Sequence, residues 1–332
     1  MFKDCKEIRL PADSPPYLVV VVDAEEEFDW SAAPDSRENS VSAMEYIGRA
    51  QAIFREYGIT PCYVIDYPVA SQKEGFGLLK QYYDRGECDI GAQLHPWVNP
   101  PFKEALTRSN MYPGNLPRDL EKEKLSNLKD RIAESFGFQP TIYKAGRYGF
   151  GENTQEILAE LGFTIDLSVC PPMDGSEDGG PDYSHFGPNP FWFGDPDRPL
   201  LEIPCTGAFL GWAASFGRPL HNVAWSLRQF RLPGVLARLG AVDRLMLSTE
   251  GYSSNEHLRL TKSLLGRGTR VFTWSFHSPS VVPGNTTYVR NEAQLGEFLE
   301  RFRRFFDFFF NEMGGKAISP TQLRLLAEQA EC

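Results

Sequence analysis

The feature that most constrains this chain is a regular alternation of short apolar runs with segments of helical period. Tyr17–Val22 is an unbroken apolar run after Pro15 and Pro16, the pattern of a strand buried on both faces. A helix-period segment follows at 41–57. Ser42 and Glu45 have capping-box spacing there, Met44, Ile47 and Phe54 share one face, and Gly58 stops it. The same alternation recurs. Strands are expected at 60–65, 88–95, 142–145, 163–169, 200–203, 244–247 and 270–276. Helices are expected at about 71–85 (opened by Ser71 and Glu74), 120–136, 153–162, 254–265 and 291–310. Strands separated by helices pair in parallel. Seven or eight such units favour a closed α/β barrel. The alternative is an open doubly wound sheet, and no glycine-rich phosphate loop follows the first strand to support a nucleotide fold.

Composition narrows the function classes. With 42% hydrophobic and 13% aromatic residues in 332, the chain can bury a sizeable core and is not disordered. Its net charge of −10 argues against broad binding to nucleic acid or anionic membranes, while leaving room for a local basic pocket. The six cysteines, Cys5, Cys62, Cys88, Cys170, Cys205 and Cys332, form no metal-binding spacing. They read as reduced, buried thiols. The N-terminus has no apolar signal core, and the longest apolar candidate, Phe305–Phe310, is interrupted by Asp307. A soluble, cytoplasmic protein without a transmembrane segment is expected. Residues 170–199, rich in Pro, Gly and Asp, read as a long functional loop. Residues 1–315 read as a single domain and 316–332 as a C-terminal tail.

In a parallel βα barrel the reactive residues gather at the C-terminal ends of the strands. Asp23, Glu25, Glu26, Glu27 and Asp29 follow the first strand. His95 ends the third, with Trp97 and Asn99 just beyond; Lys144, Arg147 and Tyr148 follow the fourth. Glu250 and His277 follow the last two. His185, His221 and His257 read as surface residues, and Trp30, Trp97 and Trp274 as core or rim packing. Trp97, Tyr148 and Glu250 are candidate substrate contacts, with Trp97 a possible sugar platform. Carboxylates and imidazoles from separate strands suit Zn²⁺ or a similar divalent ion with open positions. Asp23, Glu25, His95 and His277 could supply that set, although no two share a tight motif.

At these residues the chain resembles the polysaccharide deacetylases with a NodB homology domain, carbohydrate esterase family four, and most of all their WalW-like branch, associated with lipopolysaccharide biosynthesis. The resemblance runs from about Tyr17 to Arg290. It rests on VVDAEEEFDW at 21–30, IGAQLHPWVNPP at 90–101, YKAGRYGFG at 143–151, DLSV at 166–169, GGPDYS at 179–184 and FHSPSVVPGNTTYVR at 276–290. It implies a distorted (β/α) barrel of about seven strands, NodB-like and related to the TIM barrel. It also implies a divalent metal, zinc being the first choice, and removal of acetyl groups from a carbohydrate.

By that resemblance Asp23 matches the catalytic base. Ala24 stands where the metal carboxylate belongs, so Glu25 is the nearest substitute. Gln93 and Trp97 fall on the two metal histidines, which leaves His95, with Asn99, as the metal side. Lys144 or Arg147 stands where an arginine orients the base, and Arg147 is the better match in chemistry. His277 matches the general acid. Two other functions stay open. One is a metal-free glycoside hydrolase using Glu25 and Glu250. The other is a carbohydrate-binding barrel that has lost its metal and its activity.

Overall fold

A computed structural model of the chain describes residues 1–28, 34–217, 219–220, 223, 229 and 232–330. Seven strands run parallel: β2 (Tyr17–Ala24), β3 (Cys62–Ile65), β4 (Asp89–Leu94), β5 (Ile142–Ala145), β6 (Ile165–Asp166), β8 (Leu200–Glu202) and β11 (Val271–His277). Their spatial order is β8-β6-β5-β4-β3-β2-β11. Two antiparallel strands, β7 (Phe191–Phe193) and β1 (Lys6–Glu7), extend the β8 edge. The gap between β8 and β11 is spanned by single bonds instead of a ladder. Leu247 N donates to Thr206 O, Ser275 N to Leu247 O, and Thr273 N to the Thr206 hydroxyl. A separate hairpin, β9 (Gly207–Leu210) with β10 (Asp243–Met246), stands beside that gap. The mostly parallel seven-strand sheet with intervening helices is the fold class expected.

The period of two explains the layers. On β2, Leu18, Val20 and Val22 join the large cluster under the helices, whereas Val19 and Val21 join a second cluster. That second cluster collects Val64, Ile142, Ile165, Leu201 and Val271 from five other parallel strands, so it is the inner face. On β11, Phe272, Trp274 and Phe276 point outward. Trp274 meets Phe302 edge-on at 4.5 Å and Phe276 meets Phe298 at 5.8 Å. Inner positions become polar toward the strand ends: Val19, Val21, then Asp23 on β2; Ile142, then Lys144 on β5; Val271, Thr273, Ser275, then His277 on β11. The sheet thus has an apolar floor and a polar mouth.

Several local signals read differently in three dimensions. Ser42 caps nothing: its hydroxyl donates to Glu27, and the segment opens with a short 3₁₀ turn over Ser42–Tyr46 before a helix at Gly48–Glu56. Ser71 closes a helix (Tyr67–Ser71) that Asp66 caps through the Val69 N–H, and a second helix spans Lys73–Asp84. The long 170–199 segment contains β7 and is anchored by buried Tyr183, whose hydroxyl donates to Tyr148 O at 2.6 Å. Cys62, Cys88, Cys170 and Cys205 are buried free thiols, but Cys5 is exposed; Cys332 lies outside the described residues. No described helix is long and apolar enough to cross a membrane.

The expected tail is integral to the barrel. β12 (Lys316–Ala317) pairs with the start of β2, and the helix Pro320–Ala330 inserts Leu323 and Ala327 into the inner cluster. It stoppers the apolar end. Replacing Leu323 by Ala is expected to lower stability by about 2–4 kcal/mol through transfer and cavity terms, read as a shift in the urea midpoint with unchanged slope.

His257 also departs from expectation. It is fully buried on the helix Ser254–Gly266, its Nε2 donating to Ser248 O at 2.7 Å. His185 is exposed, as expected, and His221 lies outside the described residues. Burial pushes the His257 pKa down to about 4. A histidine depressed in the fold adds stability above its free value near 6.5, and that stability is lost as pH falls from there toward 4. Wild type is expected to lose roughly 2–3 kcal/mol more than His257→Gln between pH 7 and pH 4.5, measured by urea unfolding at both pH values.

Candidate active site

Asp23 is the last inward-facing residue of β2, and Lys144 faces it from β5. The ammonium lies 2.6 Å from each Asp23 carboxylate oxygen, and both side chains are buried. Burial favours a neutral lysine, but the adjacent Asp23 charge outweighs it and holds the Lys144 pKa above its ordinary value. Lys144 also sits over the Tyr148 ring at 4.9 Å. So Lys144, not Arg147, orients Asp23. Arg147 turns away at a left-handed φ of +53°, pairs with Asp178 at 2.6 Å and reaches Tyr112 Oη at 3.2 Å. It fastens the 170–199 segment.

His277 ends β11 in register with Asp23. Its Nε2 is 3.3 Å from Asp23 Oδ2 and its Nδ1 2.5 Å from Glu250 Oε2. Burial alone would lower its pKa; the carboxylates of Glu250, Glu25 and Asp23 outweigh that and raise it to about 10. The ring is therefore an imidazolium at neutral pH, and it is half-buried at the mouth. Glu250 is committed to it: Oε1 accepts from the Ser280 hydroxyl at 2.5 Å and from His277 N at 3.2 Å. Glu250 is thus a histidine partner, and the expectation of a direct substrate contact is corrected. A glycosidase pair with Glu25 loses its second free carboxyl.

On the other side, His95 is buried and stacked under Trp97, with ring centroids 4.4 Å apart and 19° between planes. Burial lowers its pKa to about 4, so the imidazole is neutral. Nδ1 lies 2.8 Å from Glu26 Oε2 and Nε2 3.7 Å from Glu25 Oε2; with Nδ1 donating to Glu26, the Nε2 lone pair faces Glu25. Gly146 permits this placement. A Cβ there would lie 2.5 Å from His95 Cδ2 and 2.3 Å from Leu94 O. Asp66 completes the support by accepting from Glu26 N and Val69 N, each at 2.7 Å. Burial raises the Glu26 pKa to about 7 and holds Asp66 well above the carboxylate range.

Glu25 is the outlier. It is buried, neither carboxyl oxygen has a hydrogen-bond partner, and burial holds its pKa well above the carboxylate range. Asp23, Glu25 and His277 form one compact group of donor atoms; Glu26, Asp66 and His95 form another. Two unpartnered oxygens facing a free imidazole lone pair, itself fixed from behind by a carboxylate, are a donor set that suits a divalent cation.

The Asn99 amide nitrogen donates to Pro100 O and Lys124 O, which ties it to the loop, while its Oδ1 is buried and accepts no hydrogen bond. Trp97 is corrected: buried on His95 and 5.2 Å from Phe28, it offers no open face to a sugar. Tyr148, half-buried over Lys144, lies at the site. Asp29 and Trp30 lie outside the described residues, and Trp274 is core. Asp66 has no motif that would single it out; only its position one residue past a strand end hints at it. A cleft of about 1110 Å³ opens at His277, bordered by Asn39, Ser40, Asn285, Thr286 and Tyr288.

No family description matches the sequence, and no curated protein matches it. Solved structures do. A chain from Mycobacterium smegmatis, provisionally named a polysaccharide deacetylase, aligns over 100% of this chain and 95% of its own at 14% identity and a TM-score of 0.54. The peptidoglycan deacetylase PdaC from Bacillus subtilis aligns over 97% and 96% at 10% identity and TM-score 0.42. The family 4 carbohydrate esterase from Streptomyces lividans, in complex with acetate, aligns over 90% of each chain at 10% identity and TM-score 0.42. The first likeness establishes the shared fold, the one the sequence resemblance implies.

The Asp23–Lys144 pair carries its own test. Lys144→Met takes away the ammonium that holds both oxygens of buried Asp23, leaving only His277 beside it, and is expected to cost about 3–5 kcal/mol. Adding Asp23→Asn should restore much of that loss, measured by urea unfolding of both single variants and the double. Additive losses would disprove the pairing.

Proposed function

We propose that this protein is a metal-dependent carbohydrate deacetylase. The observation that carries the reading is the opposition of a charged His277 held by Glu250 and Asp23 to an unpartnered Glu25 carboxyl beside neutral His95. Glu25 and His95 would hold the divalent ion, with Asp23 in reach and Glu26 behind His95. Such an ion, zinc being first choice, polarises an acetyl carbonyl and acidifies bound water.

The chain's own residues account for the proton movements. Lys144 fixes the Asp23 carboxylate so that one oxygen can accept a proton from the attacking water. Water oxygen bonds to the acetyl carbon, the bond to the sugar nitrogen or oxygen breaks, and His277 Nε2 protonates that atom as it leaves. Acetate and the free amine or hydroxyl result. Glu250 keeps the Nδ1 proton in place, which directs donation through Nε2. Exclusion of water by Trp97 keeps His95 neutral and available as a ligand. The cleft's amides, hydroxyls and Tyr288 suit a polyhydroxylated chain. The resemblance to the WalW-like branch supports a surface-polysaccharide or lipopolysaccharide precursor met in the cytoplasm.

Acetate release from N- and O-acetylated oligosaccharides tests the reaction. Asp23→Asn and His277→Gln are each expected to lower kcat by about 10²–10⁴. Elemental analysis should find one equivalent of a divalent metal in wild type and much less in His95→Ala. Metal-free protein that binds saccharides without turnover would sink the reading in favour of a binding protein.

A further inference from the structure

Two nucleophilic side chains lie beside the site and take no part in the proposed reaction. Cys170 and Cys205 follow the C-terminal ends of β6 and β8, neighbouring parallel strands whose last paired residues are Asp166 and Glu202. The two segments stay together past that pair, with Cys205 N donating to Val169 O at 2.8 Å. Both side chains are buried, and the Cys170 thiol donates to the Cys205 sulfur. The Cys205 sulfur also meets the Tyr148 hydroxyl, and Tyr148 lies over Lys144. The thiols therefore adjoin the polar mouth. Cys62 and Cys88, the other buried thiols described, lie on opposite faces of the sheet, one in the inner cluster and one under the helices.

Cys205 is the thiol better placed to react. It borders the seam between β8 and β11. Thr206, the next residue, takes single bonds there from Leu247 N and Thr273 N in place of a ladder. Opening a seam held this way breaks few bonds. Cys205 already keeps 5% of its surface exposed, against 1% for Cys170. The hydrogen bond from Cys170, aided by the Lys144 ammonium, holds the Cys205 pKa below its ordinary value despite burial. The same bond, together with burial, holds the Cys170 pKa well above its own.

We propose that Cys170 and Cys205 form a redox modification site, a dithiol that a hydroperoxide converts to a reversible disulfide. The Cys205 sulfur attacks one peroxide oxygen, the O–O bond breaks, and water leaves with Cys205 as a sulfenic acid. The Cys170 sulfur then displaces that hydroxyl, the S–S bond forms, and a second water leaves. The two thiols lose two electrons, the peroxide gains two, and both thiol protons end on water. A thiol reductant reverses the step. The bond ties together the two ends of the segment 171–204, whose Tyr183 and Asp178 reach Tyr148 and Arg147. The inference stands apart from the proposed reaction, because the thiols can be oxidised whether or not acetate is released.

Peptide mapping of the native full chain after hydrogen peroxide tests it, with free thiols alkylated before digestion. A peptide joining Cys170 to Cys205 should appear and should vanish on treatment with dithiothreitol. The pair should be consumed at least about tenfold faster than Cys62 or Cys88. In Cys170→Ser, dimedone should label Cys205 as the trapped sulfenic acid. Both thiols still free at peroxide doses that oxidise exposed Cys5 would overturn the proposal. So would a Cys170–Cys205 bond that forms only in urea-unfolded protein, or a map that joins either cysteine to another partner. The wild-type map decides the question even if the variant fails to fold.

Discussion

The ion pair of Asp23 with Lys144 organises this molecule. Two opposite charges face each other across the inside of a barrel whose lower layers are Val, Ile and Leu. Burying either charge without its partner is costly, and Asp23 draws on His277 as well as on Lys144. The pair sets the level at which the interior changes from apolar floor to polar mouth, and every reactive group described above sits at or beyond that level. It also fixes the geometry of Asp23, because both carboxylate oxygens are held by one ammonium. The helix at the C-terminus matters for the same reason. By filling the far end with Leu323 and Ala327 it keeps the inner face free of water beneath the charges.

Around that centre, protonation is divided by environment. His277 sits among three carboxylates and is charged; His95 sits beneath an indole and is neutral. Two imidazoles near Glu25 thereby hold opposite states at one pH, as acid and ligand chemistry require. The supporting residues act through position. Glu250 and Ser280 hold His277; Glu26 and Asp66 hold His95; Gly146 clears the space that His95 needs. Among the described residues neither oxygen of the Glu25 carboxyl has a hydrogen-bond partner, which is why a cation is the natural complement.

Much of this was legible in the residues. The apolar run before Asp23 and the strand-to-helix alternation specify a parallel α/β sheet, because period and length are local properties. The placement of Asp23, Glu25, His95, Glu250 and His277 near one mouth follows from the parallel topology. The choice between Lys144 and Arg147 was not legible. Chemistry favoured the guanidinium, but the two-residue alternation points Lys144 into the barrel, and a left-handed turn carries Arg147 away. Trp97 failed as a platform because its ring is buried between His95 and Phe28, the latter a tertiary neighbour.

Sequence alone therefore determined the layers: which segments are strands, which faces are apolar, and which acidic and histidine residues reach the strand ends. Those depend on local periodicity and on a parallel connection. Tertiary structure alone decided the pairings, the two histidine protonation states, the role of the C-terminal helix and the burial of His257. Each depends on groups far apart in the chain, and on the loss of water around them, which no local pattern encodes.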